Sequence, residues 1–245
     1  MRVEYLNQFY PESKFGGFSR IDGTVQFYTR VNALIQPDHI LLDIGCGRGM
    51  FQDDPCMTRK QLRIFKKRCR KVIGIDVDEV GISNPYLDEF RLLTSDTWPI
   101  DDDEVDIAIC DQVLEHIRDP KFFFTELART LKPGGFFCCR TPNTYAYPCL
   151  TSRLIPNRMH GKILSKVQDD RKSRDVFATY YKCNTARTLS SYLNKAGFEA
   201  CVYAHEPEPA YLDFSKFVFW MGTVAQRITP NLLKSTLLGF ARKRQ

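Results

Sequence analysis

The sequence predicts an α/β fold in which a mostly parallel sheet carries helices on both faces. Three observations lead there. Strand-like and helix-like segments alternate from Asp38 to about Ala204, as expected when parallel strands are joined by crossover helices. The strand-like segments are short, continuous apolar runs, the composition of strands covered on both faces. Two of them end on an acid, Asp43 and Asp76, and the first runs straight into a glycine-rich turn.

A first helix opens at Asp22, a suitable N-cap, because Phe27, Tyr28, Val31, Leu34 and Ile35 share one helical face, and it ends before Pro37. Strands are expected at His39–Ile44, Lys71–Asp76, Glu89–Thr94, Val105–Cys110 and Phe136–Arg140, five central parallel strands in all. Helices fall at Thr58–Cys69 and Pro120–Leu131, the second closed by Lys132-Pro133-Gly134-Gly135, which cannot continue a helix and opens a turn. Another helix, Thr185–Ala196, stops at Gly197. In Phe214–Ile228, the residues Phe214, Phe217, Val218, Met221, Val224, Ala225 and Ile228 share a face that Phe219 and Trp220 broaden. Core packing or a homodimer contact is favoured for that face over membrane contact. The basic end Arg242-Lys243-Arg244 leaves peripheral association with anionic lipid open.

Between the fifth strand and the Thr185 helix lies Thr141–Lys182, far longer than the two to six residues usual for such a link. It is expected to form a lid. Arg153, Arg158, Lys162, Lys166, Arg171, Lys172, Arg174 and Lys182 outnumber Asp169, Asp170 and Asp175 there, which suits either a solvated face or an anion-binding one. The expected layout is a single domain over 1–245, with an N-terminal helical cap (1–37), a core (38–140), the lid (141–182) and a segment completing the sheet (183–245).

With 245 residues, 43% of them hydrophobic, the chain can bury a full core. A net charge of +6 is too small to indicate nucleic-acid binding. The nine cysteines are odd in number and scattered through strand-like segments, which argues against a disulfide framework and for a reducing compartment. Cys138 and Cys139 would point to opposite faces of a strand and cannot share an ion, so no metal site is expected. Met1–Gln8 carries an early acid and no apolar core of signal length, and no uncharged apolar run approaches the ~20 residues of a membrane span. A cytoplasmic location is expected.

The strongest chemical signal is Leu41-Leu42-Asp43-Ile44-Gly45-Cys46-Gly47-Arg48-Gly49. Glycines there allow positive φ and close approach of backbone to a ligand, and free N–H groups at such a turn can hold an anion. A dinucleotide loop would place its third glycine one step later, where Met50 stands. Asp76, closing Val72–Asp76, can accept both hydroxyl protons of a ribose. Asp96, after the third strand, can accept from an adenine amino group.

Asp43–Gly49, Asp76, Asp96, Asp111-Gln112-Val113-Leu114-Glu115-His116 and Leu131–Gly135, in this order, resemble the successive motifs of the class I S-adenosylmethionine-dependent methyltransferases. The likeness spans roughly Ile40 to Arg140. Val113–His116 is most similar to the branch that methylates small molecules, including quinone precursors and sugars. Thr179–Thr185 with Ala196-Gly197-Phe198 is similar to bacterial members associated with polysaccharide or lipid-linked glycan pathways. The resemblance implies a Rossmann-like, mostly parallel seven-stranded sheet and S-adenosyl-L-methionine as cofactor. By it Gly45, Cys46, Gly47 and Gly49 would pass under the methionine part, with Asp43 near its ammonium group. Asp76 would hold the ribose, Val77 would pack on adenine, and Asp96 with the Thr97 backbone would bind the adenine edge. Phe51–Met57 departs from the family pattern and lengthens the path from the loop to Asp76.

A sulfonium methyl is already electrophilic, so the protein must hold a nucleophile in line and exclude water. An amine or carbanion acceptor needs little more, whereas a hydroxyl needs a general base. Asp111 and Gln112 lie where open α/β sheets bind ligands. Asp111 and His116 are the catalytic candidates, His116 first, because imidazole titrates near neutral pH; a histidine bonded to backbone to hold its loop is the competing reading. Tyr145, His160, Tyr180 and Tyr181 border or occupy the lid and offer rings and polar tips to an acceptor. His205, Glu206 and Glu208 read as a loop. The expected acceptor is a small molecule or glycan, anionic if the lid charges serve it, and methylated on oxygen; no nucleic acid partner is expected. The rival functions are a nucleic-acid methyltransferase, for which Asn84-Pro85-Tyr86 offers only a chance likeness in the wrong place, and a non-catalytic scaffold of the same fold. The chain is expected to be a monomer or homodimer.

Overall fold

The computed structural model describes residues 3–94, 97–146 and 177–245. The chain opens with helices α1 (Val3–Phe9) and α2 (Gly23–Leu34). Asp22 caps α2 as the sequence predicts: its carboxylate accepts from the amides of Thr24 and Val25 at 2.9 Å each, satisfying donors the first turn leaves unpaired. There follow β1 (Ile40–Ile44), α3 (Met57–Leu62), β2 (Lys71–Asp76), β3 (Glu89–Leu92), β4 (Val105–Asp111), α4 (Pro120–Thr130) and β5 (Leu131–Pro142). The C-terminal part supplies α5 (Ala186–Lys195), β6 (Phe198–His205), α6 (Lys216–Ile228) and β7 (Thr236–Lys243).

The seven strands form one sheet in the order β3-β2-β1-β4-β5-β7-β6. β1 to β5 pair in parallel. β7 inserts between β5 and β6 and runs antiparallel to both, so the sheet is mixed at this edge. Alternation along the strands divides the core in two. Leu41, Val72, Ile107, Ile109 and Cys138 join Phe27, Tyr28 and Val31 of α2 on one face. Their neighbours Leu42, Ile73, Ala108, Cys110 and Cys139 meet Phe124 and Leu127 of α4 and Leu189 and Leu193 of α5 on the other. Each fully buried Phe, Leu or Ile here contributes about 1.5–3 kcal/mol relative to exposure.

Four expectations change. The helix predicted over Thr58–Cys69 stops at Leu62, whose carbonyl accepts from Asn32 Nδ2 at 2.8 Å. The chain then turns, with Lys67 at φ 68°, and still delivers Phe65 and Cys69 to the core. Lys132–Gly135 is a bulge within β5 instead of a turn before it: Leu131 pairs with Val105, and pairing resumes at Phe136 with Ile107. On α6 the residue that packs is Phe219, against Tyr5, Phe9 and Tyr10, while Phe217, Trp220, Met221, Val224 and Ile228 of the expected packing face are exposed. The short α1 can cover only the stripe of Phe219 and Thr223, one turn apart. Of the expected lid, Thr141 and Pro142 belong to β5. Residues 147–176, with His160 and the basic cluster Arg153, Arg158, Arg171, Lys172 and Arg174, lie outside the described residues.

Among the described residues, no helix is long and apolar enough to cross a membrane.

Candidate functional site

Strand order reverses at β1, with β2 and β3 on one side and β4 and β5 on the other. Open α/β sheets bind ligands at such a switch point, outside the carboxyl ends of the strands. A cleft of about 1840 Å³ opens there, lined by residues that include Asp43, Asp76 and Asp111 from the ends of β1, β2 and β4.

The glycine turn forms one wall. The N–H groups of Gly45 and Cys46 donate to the Ile75 carbonyl at 2.8 and 3.3 Å, and Gly47 N–H donates to Asp76 Oδ2 at 2.9 Å. Gly45, at φ 71°, lies so close to Val113 that a Cβ would stand 2.4 Å from its Cγ2. At Gly47, φ 47°, a Cβ would meet nothing within 4 Å. Gly45 is thus a packing requirement, whereas Gly47 keeps open space in the cleft. The Cys46 thiol packs over Gly74 of β2, and burial raises its pKa. Gly49 caps the short turn of helix Met50–Asp53.

Asn84 ties this wall together, a role the sequence did not disclose. It is buried, its Nδ2 donates to the carbonyls of Cys46 and Gly47 at 3.1 Å each, and its Oδ1 accepts from Tyr86 N–H at 3.0 Å. Asp76 accepts from the Asp78 amide at 3.0 Å besides that of Gly47. Each of its oxygens keeps a lone pair for a further donor such as a ribose hydroxyl.

The floor of the cleft concentrates charge. Asp111 accepts a bidentate pair from Arg140, Nε and Nη2 at 2.7 Å each, and a hydrogen bond from the Tyr28 hydroxyl at 2.9 Å. Arg140 also donates to Thr24 Oγ1 at 2.8 Å and stacks over Phe27 and Tyr28. Burial acts to raise the Asp111 pKa, but the Arg140 charge and hydrogen bonds prevail and hold it below the usual range. Both Asp111 oxygens are therefore engaged, a poor arrangement for a proton acceptor. Asp43 is different. It has no hydrogen-bond partner among the described residues, and burial, then the charges of Asp111 and Asp76, push its pKa up to about 7.

The far end of the cleft holds the remaining candidates. Gln112 is exposed and in the left-handed region, φ 59°, with its N–H on the Arg140 carbonyl at 2.8 Å. His116 Nδ1 lies 3.0 Å from the Ala178 carbonyl, its ring meets Phe177 edge to face, and its Nε2 is 3.9 Å from Glu115 Oε1. A carbonyl only accepts, so Nδ1 carries the proton and Nε2 is the basic nitrogen. Glu115 is buried, which raises its pKa, and its Oε2 accepts from Thr141 Oγ1 at 3.0 Å. The amides of Tyr180 and Tyr181 donate to the Glu115 carbonyl at 2.7 and 3.1 Å, which brings both residues to the cleft. Val77, 64% exposed, lines it too.

Not every expected residue is gathered here. Asp96 and His160 lie outside the described residues. Thr97 and Tyr145 are absent from the described lining, where Leu93, Thr94 and Trp98 stand instead. His205 and Glu208 serve the fold: His205 Nε2 lies 2.8 Å from the Ile21 carbonyl, and Glu208 Oε1 accepts from Ser19 Oγ at 2.5 Å.

Comparison with known proteins gives the family. Residues 20–202 match the methyltransferase domain family. The chain belongs to that family. A probable S-adenosylmethionine-dependent methyltransferase of Mycolicibacterium smegmatis is 32% identical over 112 residues, 44% of this chain and 39% of that relative. The ubiquinone biosynthesis O-methyltransferase of Stutzerimonas stutzeri is 27% identical over 137 residues, 49% of this chain and 55% of its own length. The chain thus spans about half or less of these relatives. A SAM-dependent methyltransferase of Methanosarcina mazei superposes with a TM-score of 0.52 at 18% identity, over 88% of this chain and 97% of that one, which shows the shared fold.

The residues present fit the cofactor of this family, S-adenosylmethionine. The space at Gly47 admits its amino-acid part, the unpartnered Asp43 carboxylate suits its ammonium group, and Asp76 with Val77 suits its nucleoside.

Proposed function

We propose that this chain transfers the methyl group of S-adenosylmethionine to a hydroxyl of a small-molecule acceptor, with His116 as general base. The cofactor supplies an electrophilic methyl on sulfur; the protein's residues hold the acceptor and take its proton. The observation that carries the reading is the 3.0 Å contact of His116 Nδ1 with the Ala178 carbonyl. With Nδ1–H on the Ala178 carbonyl, Nε2 is left to accept a proton in the cleft. Phe177, Tyr180 and Tyr181 border the same space and suit an acceptor with an aromatic or other flat apolar part. Relatives named for ubiquinone biosynthesis O-methylation support a phenolic acceptor. Asp111 is assigned to positioning, because Arg140 and Tyr28 occupy its carboxylate.

The test is methyl transfer to a panel of phenolic quinone precursors and hydroxylated glycan fragments, the second class covering the likeness of Thr179–Thr185 to glycan-pathway members. His116→Gln is expected to lower kcat on the preferred acceptor by about 10²–10⁴-fold with cofactor affinity unchanged. Equal kcat in the variant would remove His116 from the chemistry and favour an acceptor that needs no base.

A further inference from the structure

α6 keeps one face bare. Phe219 and Thr223 are buried, whereas Phe217, Trp220, Met221, Val224 and Ile228, on the opposite side of the helix, are 42–77% exposed. The rings of Phe217 and Trp220 lie 5.9 Å apart, and Leu232 and Leu233 are exposed just past the helix. The charges of the surrounding segment 206–235 are sorted. Its acids are held inward: Glu206 accepts from the Ser235 amide at 2.6 Å, Glu208 accepts from Ser19 Oγ at 2.5 Å, and Asp213 is half-buried. The exposed charged residues of the segment are the cations Lys216 and Arg227, which stand about three turns apart on one flank of the apolar stripe. The segment also has a defined place. β6 ends at His205 and β7 starts at Thr236, the two paired with each other, and Thr236 pairs with Pro142 at the end of β5. α6 is therefore inserted at the carboxyl edge of the sheet, the edge on which the cleft opens. Gln226 anchors it there, donating to the carbonyls of Glu206 and Pro207 at 3.0 and 2.7 Å and accepting from the Tyr10 hydroxyl at 2.6 Å.

We propose that α6 seats this chain on an anionic lipid surface, with its apolar stripe in the lipid and Lys216 and Arg227 at the headgroups. A helix of this kind lies in the plane of the interface: aromatic and aliphatic side chains enter the boundary of headgroups and acyl chains, and cations on the flank meet lipid phosphates. Long cationic side chains reach the headgroups while their stems stay on apolar surface. Charge decides against a second copy as the occupant. A second copy would offer the same face, and segment 206–235 exposes no acid for Lys216 and Arg227 to meet, whereas an anionic surface supplies the complementary charge. The seat brings the cleft's end of the sheet to the lipid. An acceptor dissolved there would reach the cleft without crossing bulk water; this consequence rests on the proposed methyl transfer, whereas the docking itself does not.

The experiment reads α6 directly, because the chain has two tryptophans, Trp98 buried and Trp220 exposed. The full chain is titrated with vesicles of phosphatidylcholine alone and of phosphatidylcholine mixed with phosphatidylglycerol, and both flotation of the protein and tryptophan emission are followed. The expected result is flotation with the anionic vesicles and a blue shift of emission that brominated acyl chains quench, with binding weakened by salt. Phe217→Ser combined with Met221→Ser, both at exposed positions, should abolish flotation and leave cooperative thermal unfolding in place. Lys216→Gln combined with Arg227→Gln should weaken binding to the anionic vesicles on the order of tenfold. Anionic vesicles that leave the emission unshifted overturn the inference, even where the protein floats, because the chain would then bind through another basic surface. Equal flotation of the Phe217→Ser, Met221→Ser protein also overturns it. So does a dimer in sedimentation velocity that this double variant converts to a monomer, which would assign the face to a second copy.

Discussion

Cofactor affinity should depend on pH through Asp43. Its pKa stands at about 7 because burial and the charges of Asp111 and Asp76 disfavour the carboxylate, only partly offset by Arg63. In the proposed seat the ammonium group of the cofactor pairs with the ionised form. Binding below pH 7 therefore releases a proton, and affinity rises as pH rises through that value. With a single pKa of 7, the ionised fraction is about 0.1 at pH 6 and about 0.9 at pH 8, so affinity for S-adenosylhomocysteine should rise about tenfold, roughly 1.4 kcal/mol. Calorimetry at the two pH values, each in two buffers of different ionisation enthalpy, measures both the affinity and the proton released. Asp43→Asn should flatten the dependence and bind weakly at both pH values. An unaltered protein with the same affinity at pH 6 and pH 8, and no proton released, would refute the placement of Asp43 at the ammonium group.

Other perturbations separate the roles of the remaining acids. Asp111→Asn leaves the Arg140 guanidinium largely buried without its counter-charge and should cost about 3–5 kcal/mol of stability by denaturant titration; a loss under 1 kcal/mol would show the pair to be dispensable. Because the Asp111 pKa is lowered in the fold, its stabilisation should be complete above about pH 4 and fade as pH falls further, a fading the variant should lack. Asp76→Ala frees the amides of Gly47 and Asp78 and, in the proposed seat, the ribose hydroxyls, and should weaken S-adenosylhomocysteine by about 1–3 kcal/mol. Unchanged affinity in a folded Asp76→Ala protein would remove Asp76 from the site.

Sequence and structure agree where the signal is local and differ where it depends on distant partners. β1, β2 and β4, with their terminal acids, were legible because continuous apolar runs ending at an acid or glycine turn need no further context. Asp22 was legible as a cap for the same reason, whereas Thr185, expected as the first residue of its helix, is the N-cap and closes a capping box with Thr188. β7 was not: its antiparallel place between β5 and β6 depends on pairing with residues about a hundred positions away. Asn84 and Arg140 escaped notice because no periodicity marks a polar side chain whose partners come from other elements. Periodicity also missed the core face of α6, since an apolar stripe shows which face can pack and not which face of the chain a neighbouring element covers. For Asp111, position at the end of β4 pointed to the site, but only the fold showed that Arg140 and Tyr28 hold it.

The central claim is that the glycine turn, Asp43 and Asp76 form a seat for S-adenosylmethionine, and Gly47 tests it most directly. A Cβ at this position would meet no protein atom within 4 Å, so Gly47→Val should fill ligand space at a folding cost of about 1–2 kcal/mol from its positive φ. Calorimetric titration of S-adenosylhomocysteine into the unaltered protein and Gly47→Val, each checked for cooperative unfolding, is the measurement. Binding to the unaltered protein and none detectable to the folded variant is the predicted result. Equal affinity in the two would contradict the account, because the cofactor would then lie away from the turn.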